Sequence, residues 1–143
     1  MIEIKKIKAS DTYNIRLEVL RNGIPLPVEF NGDNDSNTIH LGAFKNGNLI
    51  AVSSFMKASK EDFKGEQYQL RGMATLPEFQ GLGAGKLMML EAFDIFKNLK
   101  IDCLWCNARI IAVDFYKKLG FQTFGNVFDI KFIGNHYVMY KYL

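Results

Sequence analysis

The sequence predicts an α/β domain built on a mixed, mostly antiparallel sheet of about seven strands flanked by helices, and three features carry that prediction. Strand-like runs at 38–45, 48–58 and 66–76 follow one another, the first two joined across Asn46-Gly47, a dipeptide that tolerates the positive φ angles of a two-residue hairpin turn. One step, from strand 66–76 through a helix over 83–98 to a strand at 102–107, has the length of a parallel crossover. The whole order is strand, helix, long loop, three strands, helix, strand, helix, two strands, which excludes a doubly wound nucleotide fold.

Each element has its own warrant. Ile2, Ile4 and, after a slip, Ile7 alternate with polar residues over 2–8, as in an edge strand. Ser10 or Asp11 can cap a helix running to about Arg21 by accepting from its free N–H groups, although Tyr13, Ile15, Leu17 and Val19 also alternate. Residues 22–37 gather Gly23, Pro25, Pro27, Gly32 and several Asn and Asp residues, the composition of a long loop with room for a short helix. Loops of this length in a compact domain are usually functional. Pro77 closes the third meander strand. Over 83–98 a polar stripe at Glu91, Asp94 and Asn98 leaves most of the remaining surface apolar, which implies a helix covered on two faces. Residues 110–119 form another helix, ended by Gly120 in a left-handed conformation with Phe121 folding back. The tail, 122–142, reads as two strands around a Gly134-Asn135 turn. With no repeat or linker, residues 1–143 are read as a single domain.

Composition narrows the function. The chain has 143 residues, 48% hydrophobic and 23% charged, enough for one sizeable core. Its net charge of +3 is spread from Lys5 to Lys141 without a basic block, which argues against nucleic acid as a partner. No stretch reaches the roughly 18 apolar residues of a membrane helix, and the N-terminus lacks the apolar segment of a signal peptide. No membrane partner and a cytoplasmic location are expected. Cys103 and Cys106 form a Cys-x-x-Cys, but residues three apart on a short strand point to opposite faces and cannot share a metal or close a disulfide. Zinc would need two further ligands, and the only histidines are His40 and His136. Two buried thiols and no metal site follow.

The most informative stretch runs from Leu70 to Leu90, where glycines at 81, 83 and 85 open an amphipathic helix just after a strand. Glycines at alternate positions let the backbone approach a ligand, and the first N–H groups of the helix point outward with the positive end of its dipole behind them. Phosphate or pyrophosphate suits such a seat. A P-loop fails, because Gln80 stands where its first glycine should be and Leu87 replaces the magnesium-binding hydroxyl. This disfavours a kinase or NTPase. A dinucleotide fingerprint fails at Lys86 or Met88, depending on register. The pattern [RQ]-x-x-G-x-[GA] is met in full by Gln80, Gly83 and Gly85.

Here the sequence resembles the GNAT family of acetyl-CoA-dependent N-acetyltransferases, in its small single-domain bacterial form. The resemblance also covers Leu70-Arg71-Gly72-Met73-Ala74-Thr75 with Pro77 behind it, Asn107 on the next strand, and Ala112, Phe115, Tyr116, Gly120 and Phe121 around the last helix. It implies a splay between the fourth and fifth strands that receives acetyl-CoA. Backbone groups of Met73 and Thr75 would pair with the pantetheine arm, and the N–H groups of Gly81, Leu82, Gly83, Ala84, Gly85 and Lys86 would hold the pyrophosphate, with Ala74 and Gln80 also in the cofactor site and Asn107 contacting the cofactor from the fifth strand. Tyr116 matches the family tyrosine facing the coenzyme A sulfur, where a phenol can donate as thiolate charge develops. Arg71 falls with the acceptor site.

The sequence also departs from the family. Some members place a carboxylate base four residues before the position of Met73; here that residue is Gln69, and an amide cannot accept the ammonium proton. Glu66 and His136 are the candidate bases. His136 sits in an ending similar to Gly-x-Pro-His-x-x-Met, with Asn135 in place of the proline. Glu29, Asp33 and Asp35 make the long loop acidic, which suits a cationic amine; Asp35 and His40 flank the start of the second strand beside the acceptor pocket. The expectation is an N-acetyltransferase acting on a primary amine of a small molecule or peptide, in a ternary complex and without a metal. A non-catalytic acyl-CoA sensor is the rival. The strand-rich tail offers an edge for pairing in a homodimer.

Overall fold

The strand-forming runs assemble one seven-stranded sheet in the computed structural model, which describes residues 1–143. Its strands are β1 (Ile2–Ile7), β2 (Ile39–Lys45), β3 (Asn48–Lys57), β4 (Gln67–Thr75), β5 (Cys103–Arg109), β6 (Gln122–Ile130) and β7 (Gly134–Tyr142), in the order β1-β2-β3-β4-β5-β7-β6. Only β4 and β5 run parallel. The β2–β3 hairpin turns on Asn46 and Gly47 at φ of 51° and 80°, the left-handed pair that a tight hairpin demands.

Helix α1 begins as a 3₁₀ turn (Ala9–Thr12), makes one α turn (Tyr13–Ile15) and widens into π-helix (Arg16–Leu20). It starts before the Ser10 or Asp11 cap the sequence suggests, because Asp11 reaches back to accept from the Lys8 N–H at 2.9 Å. No helix forms within 22–37, which is a chain of turns. Helix α2 (Ala84–Asn98) packs Met88, Met89, Ala92, Phe93 and Phe96 inward. Contrary to expectation it is covered on one face only, with Leu87 and Leu90 38% and 43% exposed. β5 extends to Arg109 because β7 pairs with it up to the Arg109–His136 register. Helix α3 (Val113–Lys118) follows a 3₁₀ turn and ends at Gly120, φ 95°, where the Phe121 N–H folds back to the Tyr116 carbonyl at 3.1 Å. The last turn lies at 131–133, with Phe132 at φ 71°; Gly134 and Asn135 already belong to β7, opposite Ile130 and Asp129.

The main core lies between α2 and the sheet, where Phe96 meets Phe55 at 5.4 Å and Tyr68 at 4.5 Å between ring centroids. Burying an aromatic ring of that size contributes about 2–3 kcal/mol. The two cysteines are free and fall on opposite faces of β5: Cys106 in this core, Cys103 with Phe63, Trp105 and Val138 on the other side.

Two irregularities position the site. β4 and β5 pair only over 67–70 against 103–106, and beyond Leu70 they separate, leaving one edge of β4 open. On its other edge β4 bulges: Ser54 faces Arg71 and Val52 faces Ala74, so Gly72 and Met73 together oppose Ser53. Gly72 has φ 65°, and a Cβ there would sit 2.7 Å from the Phe30 ring.

Candidate active site

The gap between the separated strands widens into a cavity of about 430 Å³. β4 contributes Gln69 through Met73, β5 contributes Cys106 through Arg109, α3 contributes Tyr116, β7 contributes His136, and the long loop closes it with Glu29 and Phe30.

At the end of β4 the chain turns through Pro77 into the glycine segment. Gly81 and Gly83 take φ of 81° and 87°, with no atom within 4 Å of where a Cβ would stand. The surface there is backbone, as a seat for a bulky anion requires. None of the N–H groups from Gly81 to Lys86 donates to a backbone carbonyl; Leu87, bonding to the Gly83 carbonyl at 3.0 Å, is the first that does. Six successive donors at the positive end of a 15-residue helix await an acceptor. The residues therefore fit a pyrophosphate. Gln80 lies at the start of the turn and points its amide toward the Thr75 carbonyl at 3.5 Å. Ala84 instead faces the core, and Ala74 is buried with Ile15 and Val52 on the far side of the sheet, so of these two only the backbone can reach a ligand.

Tyr116 is buried at 6% exposure, with its ring against Phe115 and Phe121. Its hydroxyl has no hydrogen-bond partner in the protein, yet it is not among the sealed, unpaired atoms, so it opens onto the cavity it lines. Burial, with a smaller contribution from Cys106, pushes its phenol well above the usual range, so it keeps its proton. Asn107 is exposed on β5 where the strands part. His136 is buried, and its Nδ1 bonds the Gly134 carbonyl at 2.7 Å. A carbonyl only accepts, so Nδ1 carries the hydrogen and the neutral ring keeps its lone pair on Nε2. Glu66 lies elsewhere, just before β4, paired with Lys57 at 3.2 Å.

A family model described as the acetyltransferase (GNAT) family matches residues 9–121. The chain belongs to the GNAT acetyltransferase family. It is accordingly an acyltransferase. An N-acetyltransferase of Bacillus subtilis (strain 168) named YitI, itself described as uncharacterized, is 38% identical over 145 residues, spanning 100% of this chain and 97% of the relative. Among solved structures, an acyl-CoA N-acyltransferase from Pseudomonas aeruginosa shares the fold with a TM-score of 0.80 at 18% identity, covering 99% of each chain. Escherichia coli ElaA does so with a TM-score of 0.81, again at 18% identity and 99% of each chain.

Around this GNAT framework the long loop is anchored by a buried ion pair. Arg16, fully enclosed, donates to both oxygens of Asp33 at 2.7 and 3.0 Å, to the Val28 carbonyl and to the Ser54 hydroxyl, both at 2.8 Å. Burial alone would raise the Asp33 carboxyl, but the Arg16 bonds and the Phe30 N–H outweigh it and hold the group below the usual carboxylate range. His40 belongs to this network and not to the cavity: Nε2 donates to the Asp33 carbonyl at 2.9 Å and Nδ1 meets Ser54 Oγ at 2.6 Å. Asp35 is exposed in a turn outside the cavity. So of the three loop acids expected to attract a cation, Asp33 is spent on Arg16, Asp35 is remote, and Glu29 alone remains.

The other charges in the GNAT cavity are arginines that sequence reasoning left out, except for Arg71. Arg21 and Arg109 join Arg71 in its lining. Burial first, then neighbouring guanidinium groups, lower the pKa values of Arg21 and Arg71 from the usual arginine value. Gly72, at the β4 bulge and against Phe30, carries a signal that sequence reasoning left unused: an isolated glycine within a strand marks a bulge or a close approach.

Proposed function

We propose that this chain transfers the acetyl group of acetyl-CoA to a primary amine by direct attack in a ternary complex. What supports the reading is the run of six unpaired N–H donors at Gly81 to Lys86, lying beyond the open edge of β4 that leads back to Tyr116. Acetyl-CoA supplies the thioester. In this reading Gly81 to Lys86 bind its pyrophosphate, and the β4 edge at Met73 and Thr75 pairs with the pantetheine as an added strand, while Asn107 orients it from β5.

His136 Nε2 takes the proton that the acceptor ammonium must lose. The amine nitrogen then bonds to the acetyl carbon as the carbon–sulfur bond breaks; the Tyr116 hydroxyl gives its proton to the departing sulfur, and the second proton that the nitrogen sheds on becoming an amide restores the phenol. The two free thiols suit a reducing, cytoplasmic setting.

Acetyl-CoA is expected to raise the melting temperature, whereas ATP with magnesium is not, because a ligand that binds only the folded state stabilises it. Gly83→Glu, which places a carboxylate beside the pyrophosphate and strains a left-handed residue, should abolish the shift. Retention of the shift in that variant would overturn the assignment of the seat. Coenzyme A thiol release across an amine panel then tests the transfer itself.

A further inference from the structure

The cavity carries more positive charge than the protein neutralises. Arg71 enters from β4, Arg109 from β5 and Arg21 from the end of α1, and Glu29 is the only acidic residue in the lining. The ion pairs of the molecule are Lys5–Glu3, Arg16–Asp33 and Lys57–Glu66, so none of the three arginines has a carboxylate within 4.0 Å. Arg21 is held in place by bonds to the Pro27 and Leu20 carbonyls at 3.0 and 3.2 Å. Arg71 is held by stacking on Phe30, 4.6 Å from the ring centroid, with Arg21 at 5.3 Å from the same ring and the neutralised Arg16 at 3.8 Å. The forks of Arg71 and Arg109 make no hydrogen bond within the protein and are not sealed from the cavity.

Like charges gathered in a half-enclosed space repel one another unless a counter-charge arrives. Acetyl-CoA does not bring one to this place: its phosphates belong at the glycine turn, and the acetyl thioester is neutral. We infer that the acceptor is a small amine carrying an anionic oxygen group, a carboxylate or a phosphate, which Arg71, Arg109 and Arg21 hold while the amine faces the thioester. This rests on the transfer reading above and adds the chemical class of the acceptor. A guanidinium fork matches either anion with paired hydrogen bonds. The same cluster repels a plain ammonium or polyamine, and lowers the proton affinity of an amine held beside it, which offsets the missing carboxylate at Gln69. It also replaces the cation-attracting pocket that the acidic loop suggests in sequence. A cavity of about 430 Å³ that must also admit the thioester leaves room for a small molecule.

The test is a panel of L-amino acids, each paired with its amide, together with O-phosphoethanolamine paired with ethanolamine, assayed with acetyl-CoA by thiol release. The anionic member of a productive pair should exceed its neutral partner in kcat/KM by about 10-fold or more, and Arg71→Gln or Arg109→Gln should cut that ratio by about 10-fold. The carboxylate and phosphate pairs separate the two anions. Arg109→Glu, away from the Phe30 stack, should invert the ratio and covers the case in which Arg71→Gln does not fold.

Amides matching or surpassing their acids in the wild type would overturn the inference. So would an unchanged ratio in the arginine variants, including the case where those variants lose the acetyl-CoA thermal shift instead, which would assign the arginines to the cofactor. If the wild type shows neither thermal shift nor turnover, the transfer reading fails. Calorimetric titration of the same pairs then still reads the cluster: acid binding lost in Arg71→Gln upholds it, and no preference for acids removes it.

Discussion

Arg16 grips both carboxylate oxygens of Asp33, at 2.7 and 3.0 Å, with the two side chains 0% and 2% exposed. The pair ties α1 to the loop that closes the cavity, so its loss would strand a buried guanidinium. Asp33→Asn is expected to destabilise the protein by about 3–5 kcal/mol in urea unfolding. Because the folded carboxyl lies below its unfolded value, its stabilisation is complete above about pH 4 and is lost as pH falls through the folded value. The variant should show a shallower loss of stability on the acid side than the wild type.

Tyr116→Phe removes a hydroxyl that bonds to nothing in the protein, so the melting temperature should change little. The turnover should not be so indifferent: kcat is expected to fall about 10²-fold with acetyl-CoA affinity retained. Normal kcat together with reduced stability would make the ring a packing element only.

His136→Asn keeps a side chain able to donate to the Gly134 carbonyl but has no lone pair to offer at the Nε2 position. The acidic limb of the kcat/KM profile should flatten if that nitrogen takes the acceptor proton. Persistence of the limb would place the base elsewhere, and Glu66, paired with Lys57 outside the cavity, is not a substitute.

Burial pushes the Cys106 thiol up to about 12 and, with a smaller contribution from Asp102, the Cys103 thiol to about 11. At pH 8 neither should react with an aromatic disulfide reagent until the protein unfolds. Since the unfolded thiols ionise near pH 9 and the folded ones do not, stability should fall as pH rises between about 9 and 12. Cys106 alone contributes a slope of about 1.4 kcal/mol per pH unit there, and Cys106→Ala should remove that part.

Local chemistry made much of the fold readable. The Asn46-Gly47 turn, the Gly120 stop and the glycine entry to α2 each demand a backbone conformation that few residues supply, and each lies where the sequence puts it. What escaped depends on partners distant in the chain. The π-widening of α1 accompanies the burial of Arg16, whose carboxylate is 17 residues away. The exposed Leu87 and Leu90 look like core residues to any periodicity argument. The charge of the cavity is hidden in the sequence for the same reason: Asp33 counts as an acid there, but Arg16 pairs with it in space, while Arg21, Arg71 and Arg109 converge from three separate elements.

The parted strands also divide the molecule mechanically. With β4 and β5 joined only over 67–70 against 103–106, the sheet consists of a four-stranded panel and a three-stranded panel sharing a short seam. A ligand lying along the open edge of β4 would act as a stitch between them, so its binding energy enters the rigidity of the whole sheet. The amides of Met73 and Thr75 and those bordering the gap at Asn107 to Arg109 would then exchange with solvent more slowly together, although they belong to different panels.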